Sequence, residues 1–216
     1  MDSDLLVFII LGVAFAAVGL HLVVYSRRRS GVIRRFAESR GYPHRDRDGG
    51  SLELQLERAF EIEEAGCARA FSQVRDVVCL PSGKLFRAVE LTDLNPHVSV
   101  NSPHHARAAV IFPGAPEWSG VFYVTTDLGV HQRYPRERDP ATAGLPHLFR
   151  QAGIASPPHP LSLTFMRGQG LAYLEPAVTG SVTEAHLTYL ADLAERFTAH
   201  FSGSPATSTH PRDGAA

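Results

Sequence analysis

The chain opens on a long apolar run and changes to helical and alternating patterns only afterwards. The residues from Leu5 to Tyr25 carry no formal charge, and most of them are Leu, Ile, Val or Phe. A helix over this range is ~31 Å long, close to the ~30 Å thickness of the hydrocarbon core of a bilayer. The pattern therefore predicts a transmembrane helix at Leu5–Tyr25.

The flanks of this run predict that it is retained and how it is oriented. The chain begins MDSD, which is acidic, and no A-x-A site follows the run, unlike a cleaved signal peptide. Arginines follow the run directly, and positive residues favour the cytoplasmic side of a membrane. The prediction is a single-pass protein of the bacterial inner membrane with its N-terminus outside and its C-terminal domain in the cytoplasm.

Two further partners are expected from the same region. Arginines next to an anionic surface contribute ~1 kcal/mol each, which predicts a bilayer contact. The residues predicted to touch lipid headgroups are Arg27, Arg28, Arg29, Arg34 and Arg35. Small residues at Gly12, Ala16 and Gly19 share one helical stripe, where two helices can approach closely, so a homodimer is a further hypothesis.

Beyond this run the pattern predicts a short helix and then several strands. Val32, Ile33, Phe36 and Ala37 form a helical apolar stripe that Gly41 ends. Alternation and apolar runs predict strands at residues 70–80, 84–94, 106–113 and 120–127, and a hairpin at 160–176. A short helix is predicted at 143–153. The segment LELQLERAFEIEEAG fits either element, although alternation at Leu52, Leu54 and Leu56 favours a strand.

The last predicted element is an amphipathic helix. It opens with Ser181 and Glu184, the spacing of a capping box. Its apolar residues then fall on one stripe, namely Leu187, Leu190, Leu193, Ala194, Phe197 and Phe201. Such a stripe is expected to pack on a sheet.

These elements predict an α+β fold class. The N-terminal transmembrane helix precedes a mostly antiparallel sheet domain, and the C-terminal amphipathic helix packs on that sheet. The predicted divisions are an extracytoplasmic N-terminus (1–4), the transmembrane helix (5–25), a juxtamembrane basic segment with a short helix (26–48), a cytosolic α+β domain (49–201) and a disordered tail (202–216).

Composition narrows the function classes. The 216 residues have a formal net charge of −1, without the basic excess that nucleic-acid binders show. The two cysteines, Cys67 and Cys79, form no CxxC motif, so neither a zinc ribbon nor a disulfide framework is indicated. Two unpaired thiols fit a reducing compartment.

No standard catalytic motif occurs in the chain. LPSGKL lacks the first glycine and the final Ser or Thr of a phosphate-binding loop, and there is no G-x-G-x-x-G, G-x-S-x-G or H-E-x-x-H. No catalytic residue, cofactor or metal ligand is therefore predicted, and enzymatic activity is not the favoured expectation.

Two alternatives stay open. Imidazole and carboxylate groups could hold a metal for a hydrolase, and they gather in one loop at Asp93, His97, His104 and His105. Aromatic residues could instead line a groove for a small ligand or lipid, and these are Trp118, Phe122, Tyr123 and Tyr134.

With the apolar run, the segment RRFAESRGYPHRDRD and the terminal hairpin and helix in view, the layout resembles a group of bacterial single-pass membrane proteins. Those proteins carry one N-terminal span, then an FA-x-x-x-G-aromatic helix, here Phe36, Ala37, Gly41 and Tyr42, and a small cytosolic α+β domain. The resemblance implies this architecture and no activity. The favoured expectation is a non-catalytic membrane protein whose cytosolic domain binds or scaffolds a protein partner.

Overall fold

The computed structural model describes residues 3–60, 70–91, 106–115, 118–134, 144–175 and 182–203. Its helices are α1 (Ser3–Arg40), α2 (Ser51–Phe60), α3 (Leu145–Gln151) and α4 (Glu184–Phe201). Its strands are β1 (His44–Arg45), β2 (Ala70–Leu80), β3 (Gly83–Leu91), β4 (Ala106–Pro113), β5 (Gly120–Val124), β6 (Val130–Tyr134), β7 (Leu161–Met166) and β8 (Gln169–Leu174).

The strands form one sheet of eight, in the order β1-β2-β3-β4-β8-β7-β5-β6. Every neighbouring pair is antiparallel. The hairpin β7–β8 lies between β4 and β5, so β4 pairs with β8, with Val110 opposite Ala172. The expected antiparallel sheet is therefore present, and the strand predicted at 106–113 lies inside it.

Side chains of the sheet alternate between two apolar layers. On β3, Leu85 belongs to the layer beneath α4, and Phe86 belongs to the layer beneath α2. This alternation follows from the two-residue period of a strand. Because helices cover both faces around β3 and β4, these strands are apolar on both sides.

Helix α4 covers one face with a continuous buried stripe, consisting of Leu187, Leu190, Leu193, Ala194 and Phe197. Phe197 stacks on Phe112 of β4, with ring centroids 5.5 Å apart. The predicted packing of the C-terminal helix on the sheet is confirmed. Its cap lies two residues later than expected, because Thr183 accepts from the backbone N–H of His186, 3.3 Å away.

The described part of the segment that alternation favoured as a strand forms helix α2, which ends at Phe60. Leu52 and Leu56, four residues apart, are buried, and Leu54 between them is 44% exposed. Residues four apart share a helix face, so one buried face needs only Leu52 and Leu56. The exposed Leu54 completes an alternating pattern in the sequence but has no part in the buried face.

The apolar N-terminal run is part of a longer helix. Within the part of the chain that the structure describes, no helix has both the length and the apolarity needed to cross a bilayer. The prediction of a transmembrane helix at Leu5–Tyr25 is therefore wrong, and the finding gives no support to a single-pass location. The prediction treated the run as a separate element, whereas the same helix continues through the arginines to Arg40.

The C-terminal end of α1 is where this helix joins the folded domain. Ile33, Phe36 and Ala37 are buried in the same layer as α4. Gly41 follows with a φ of 68°, a left-handed conformation that glycine adopts without strain, and this ends the helix. The short stripe predicted here is confirmed, although no helix boundary separates it from the apolar run.

Candidate functional site

The most unusual surface of the described chain is the N-terminal half of α1. Residues 7–20, called the apolar arm below, are all exposed, with Phe8 at 73% and Phe15 at 77%. Among the described side chains, every exposed large hydrophobic residue except Leu54 lies on α1. Monomeric proteins rarely expose a continuous apolar patch of more than a few hundred Å². The apolar arm is therefore a candidate docking surface.

The arm lies far along α1 from the residues of this helix that pack on the domain. Among the described side chains of α1, the first buried one is Ile33, thirteen residues after the end of the arm at Leu20. At 1.5 Å per residue, this separation is ~20 Å. The sheet and α4 therefore cannot cover the arm.

One stripe of the arm is shaped for close approach. A Cβ atom added at Gly12 or Gly19 would meet no heavy atom within 4 Å. Ala16 lies on the same stripe, and small residues at this spacing allow two helix backbones to come together. The groove that they form is open along its length.

The predicted headgroup arginines have different environments. Arg34 donates to Asp46, 3.3 Å away, and both side chains are more than half exposed. Arg35 is exposed. The side chains of Arg27, Arg28 and Arg29 lie outside the described part, so headgroup contact stays a prediction for this set.

The structure bears differently on the two alternative sites, the metal-binding loop and the aromatic groove. Asp93, His97, His104 and His105 lie outside the described residues, so the metal-dependent hydrolase stays a prediction. Trp118 packs edge-on against Phe165, with ring centroids 5.2 Å apart, and Phe122 is buried. These two aromatic side chains are used in the core, and the side chain of Tyr134 is not described.

A cavity of about 460 Å³ opens at the end of the sheet where the β2–β3 and β7–β8 turns meet. Its lining is mostly apolar, with Gln55 bonded to Gln169 at 3.2 Å. Lys84 lies at its edge and pairs with Asp48 at 3.3 Å. A hydrogen bond from Ser51 and the Lys84 ammonium lower the pKa of Asp48, which fits a fixed structural carboxylate.

A polar cluster lies where β1 meets β2. The carboxylate of Asp76, which is buried, accepts from Arg87 Nη2 at 2.9 Å. Its other oxygen lies 3.8 Å from His44 Nε2. Asp46 follows β1, and its backbone carbonyl accepts from the N–H of Asp76 at 3.1 Å. Three elements therefore bring an imidazole, two carboxylates and a guanidinium together.

Sequence reasoning did not find this cluster. In the predicted elements, His44 and Asp46 lie in a charged loop, whereas Asp76 and Arg87 lie in two different strands. Only the bulge in β2, where the register shifts on either side of Arg75, turns Asp76 towards Arg87. No spacing rule in the chain signals such a bulge.

Comparison with known proteins gives no relative. No protein-family model, no curated protein and no solved structure matches this chain.

Proposed function

We propose that this chain is a non-catalytic protein-binding module that docks through the apolar arm, and that the occupant is the arm of a second copy. The observation that carries the proposal is the exposure of the arm, which holds nearly all the exposed large hydrophobic side chains of the described residues. Burial of apolar surface is the dominant favourable contribution to most protein–protein association.

The size of this contribution supports association. Burying six large apolar side chains at roughly 1.5–3 kcal/mol each contributes about 9–18 kcal/mol, against an association cost of about 4–15 kcal/mol. The arm offers more than six such side chains from two copies, for example Phe8, Leu11 and Phe15 from each. The free energy gained by hydrophobic burial is therefore of the size that pairing of two arms requires.

The small residues favour a helix as the occupant. Gly12, Ala16 and Gly19 provide a shallow groove that the same groove of a second α1 fits. Such pairing leaves the sheet domain free, because the arm ends ~20 Å from Ile33, where the described side chains of α1 first pack into the core. A pair of arms would thus hold two folded domains side by side, as a scaffold requires.

We place the folded domain in the bacterial cytoplasm, a reducing compartment. The thiol of Cys79 is free and half-buried, which suits that compartment. Rapid alkylation of thiols in intact cells should find Cys79 reduced. Recovery of Cys79 in a disulfide under these conditions would contradict the placement.

Self-association tests the proposed function. The variant Gly12→Leu places a bulky side chain in the groove and should weaken the dimer of the full chain at least tenfold. Sedimentation equilibrium in a mild non-ionic detergent measures the dissociation constant.

The matched control is Ala14→Leu. Residue 14 is ~200° from residue 12 around a helix, so the added side chain lies on the opposite face. It should leave the dimer unchanged. Equal association of wild type and Gly12→Leu would rule out the groove as the interface.

A further inference from the structure

An imidazole nitrogen beside a buried carboxylate has no ordinary partner. His44 Nε2 is buried and lacks a hydrogen-bond partner among the residues that the structure describes. It faces an oxygen of Asp76 at 3.8 Å, which is longer than a hydrogen bond. A buried polar atom normally has a partner, so this gap points to an occupant between the two groups.

We propose that His44, Asp46 and Asp76 bind a divalent transition-metal ion of the zinc class. One ligand atom from each of these residues lies within 4.8 Å of the others. Two ligands ~2.1 Å from one ion are ~3.4 Å apart at a tetrahedral angle and at most ~4.2 Å apart. The 3.8 Å between His44 and Asp76 therefore falls in the range of two ligands of one ion.

Asp46 supplies the third ligand and the route to solvent. Its side chain is 74% exposed, whereas that of His44 is 13% exposed. A small rotation of Asp46 closes the remaining distance without moving the sheet. Three protein ligands with an open side towards water match the ligand number of zinc sites that keep one exchangeable position.

Arg87 positions Asp76 for this role. Its guanidinium, 4% exposed, holds one carboxylate oxygen at 2.9 Å and leaves the other oxygen facing His44. Hydrogen bonds of this kind orient the carboxylates that ligate metals. The charges of Arg87 and Arg34 balance those of the carboxylates of Asp76 and Asp46, so binding of the ion requires Asp46 to exchange its contact with Arg34 for the metal.

The ligand types select the class of ion. Imidazole favours zinc, copper, iron or nickel, whereas calcium and magnesium prefer sites made of oxygen alone. The site does not involve the apolar arm, so a failure of this proposal leaves the proposed function unaffected, and the reverse also holds.

Zinc titration of the metal-stripped full chain tests the proposal. Competition against a chromophoric chelator at pH 7 should reveal a site that Asp46→Asn weakens at least tenfold. Because Asp46 is exposed, this variant should keep the circular dichroism and melting temperature of the wild type. His44→Ala should lose the same site, and Co²⁺ should give a visible ligand-field spectrum in the wild type alone.

The matched control is His131→Ala, which removes an exposed histidine outside the cluster. It should bind zinc as the wild type does. Zinc binding that Asp46→Asn and His44→Ala leave unchanged would overturn the proposal, as would a wild-type chain that binds no zinc.

A substitution at Arg34 gives a second test, in which the affinity for zinc should increase instead of decrease. Arg34 competes with the ion for Asp46, through a surface pair worth at most ~1 kcal/mol. Arg34→Ala should therefore tighten zinc binding, by up to about fivefold. Weaker binding in this variant would contradict the assignment of Asp46 as a ligand.

Discussion

Asp76 shows how one residue can set the chemistry of a region. It has a φ of 52° inside a strand, a left-handed conformation that few residues except glycine adopt, although Asp adopts it more readily than most. This conformation belongs to the β2 bulge and directs the carboxylate to Arg87 and His44. The alternating pattern places Arg87 in a predicted strand, but it does not predict a partner whose position depends on a bulge in the neighbouring strand.

The histidine at the start of α4 predicts a pH effect on stability. Burial, and then the nearby His159, lower the pKa of His186 below 6.5, so the folded state disfavours its protonation. The unfolded state therefore binds more protons as the pH falls below ~6.5, and stability decreases. The pKa values of Asp48 and Asp127 are also lowered, so these carboxylates become protonated only at more acidic pH, and their protonation there decreases the stability of the folded state.

His186→Gln isolates this effect. Glutamine keeps a polar side chain at the third helical position, which suits a capping box, and it does not titrate. The decrease in melting temperature from pH 7 to pH 5.5 should be smaller in this variant than in the wild type. An equal decrease in both proteins would show that His186 is not responsible.

At the scale of elements, the predictions were correct where a periodic pattern extends over many residues, and they failed where the segment is short. The stripe of α4 and the hairpin β7–β8 follow directly from helical and alternating patterns. Strand β1, with two residues, is too short for any pattern and exists because it pairs with β2. The prediction for helix α2 was wrong because Leu52 and Leu56 fit both the strand period and the helix period, and Leu54 between them completed an alternating pattern.

The packing of α4 gives a stability prediction. Leu190 is fully buried, so Leu190→Asp places an unpaired carboxylate in the core and removes an apolar side chain. The free energy of unfolding of the full chain should decrease by at least ~3–5 kcal/mol in chemical denaturation. Ala185→Asp, at an exposed position of the same helix, should change it little. Similar unfolding curves for wild type and Leu190→Asp would contradict the packing of α4.

At the scale of the whole molecule, strand order was beyond prediction. The antiparallel class follows from strands and turns, but the placement of β7–β8 between β4 and β5 depends on contacts far apart in sequence. The apolar arm was visible in the sequence as an apolar run. The sequence did not show how the arm is connected to the domain, because composition cannot show that one helix continues from the apolar run into the core at Ile33.

Site-specific photo-crosslinking at the arm tests the central claim most directly. A benzoylphenylalanine at position 15 of the full chain, illuminated in cells, should form a protein adduct of twice the chain's mass, identified by peptide mapping as a second copy. The same probe at Ser156, an exposed position of the folded domain, should form no such adduct. Absence of any protein adduct at position 15 would contradict the claim that the apolar arm is a protein docking surface.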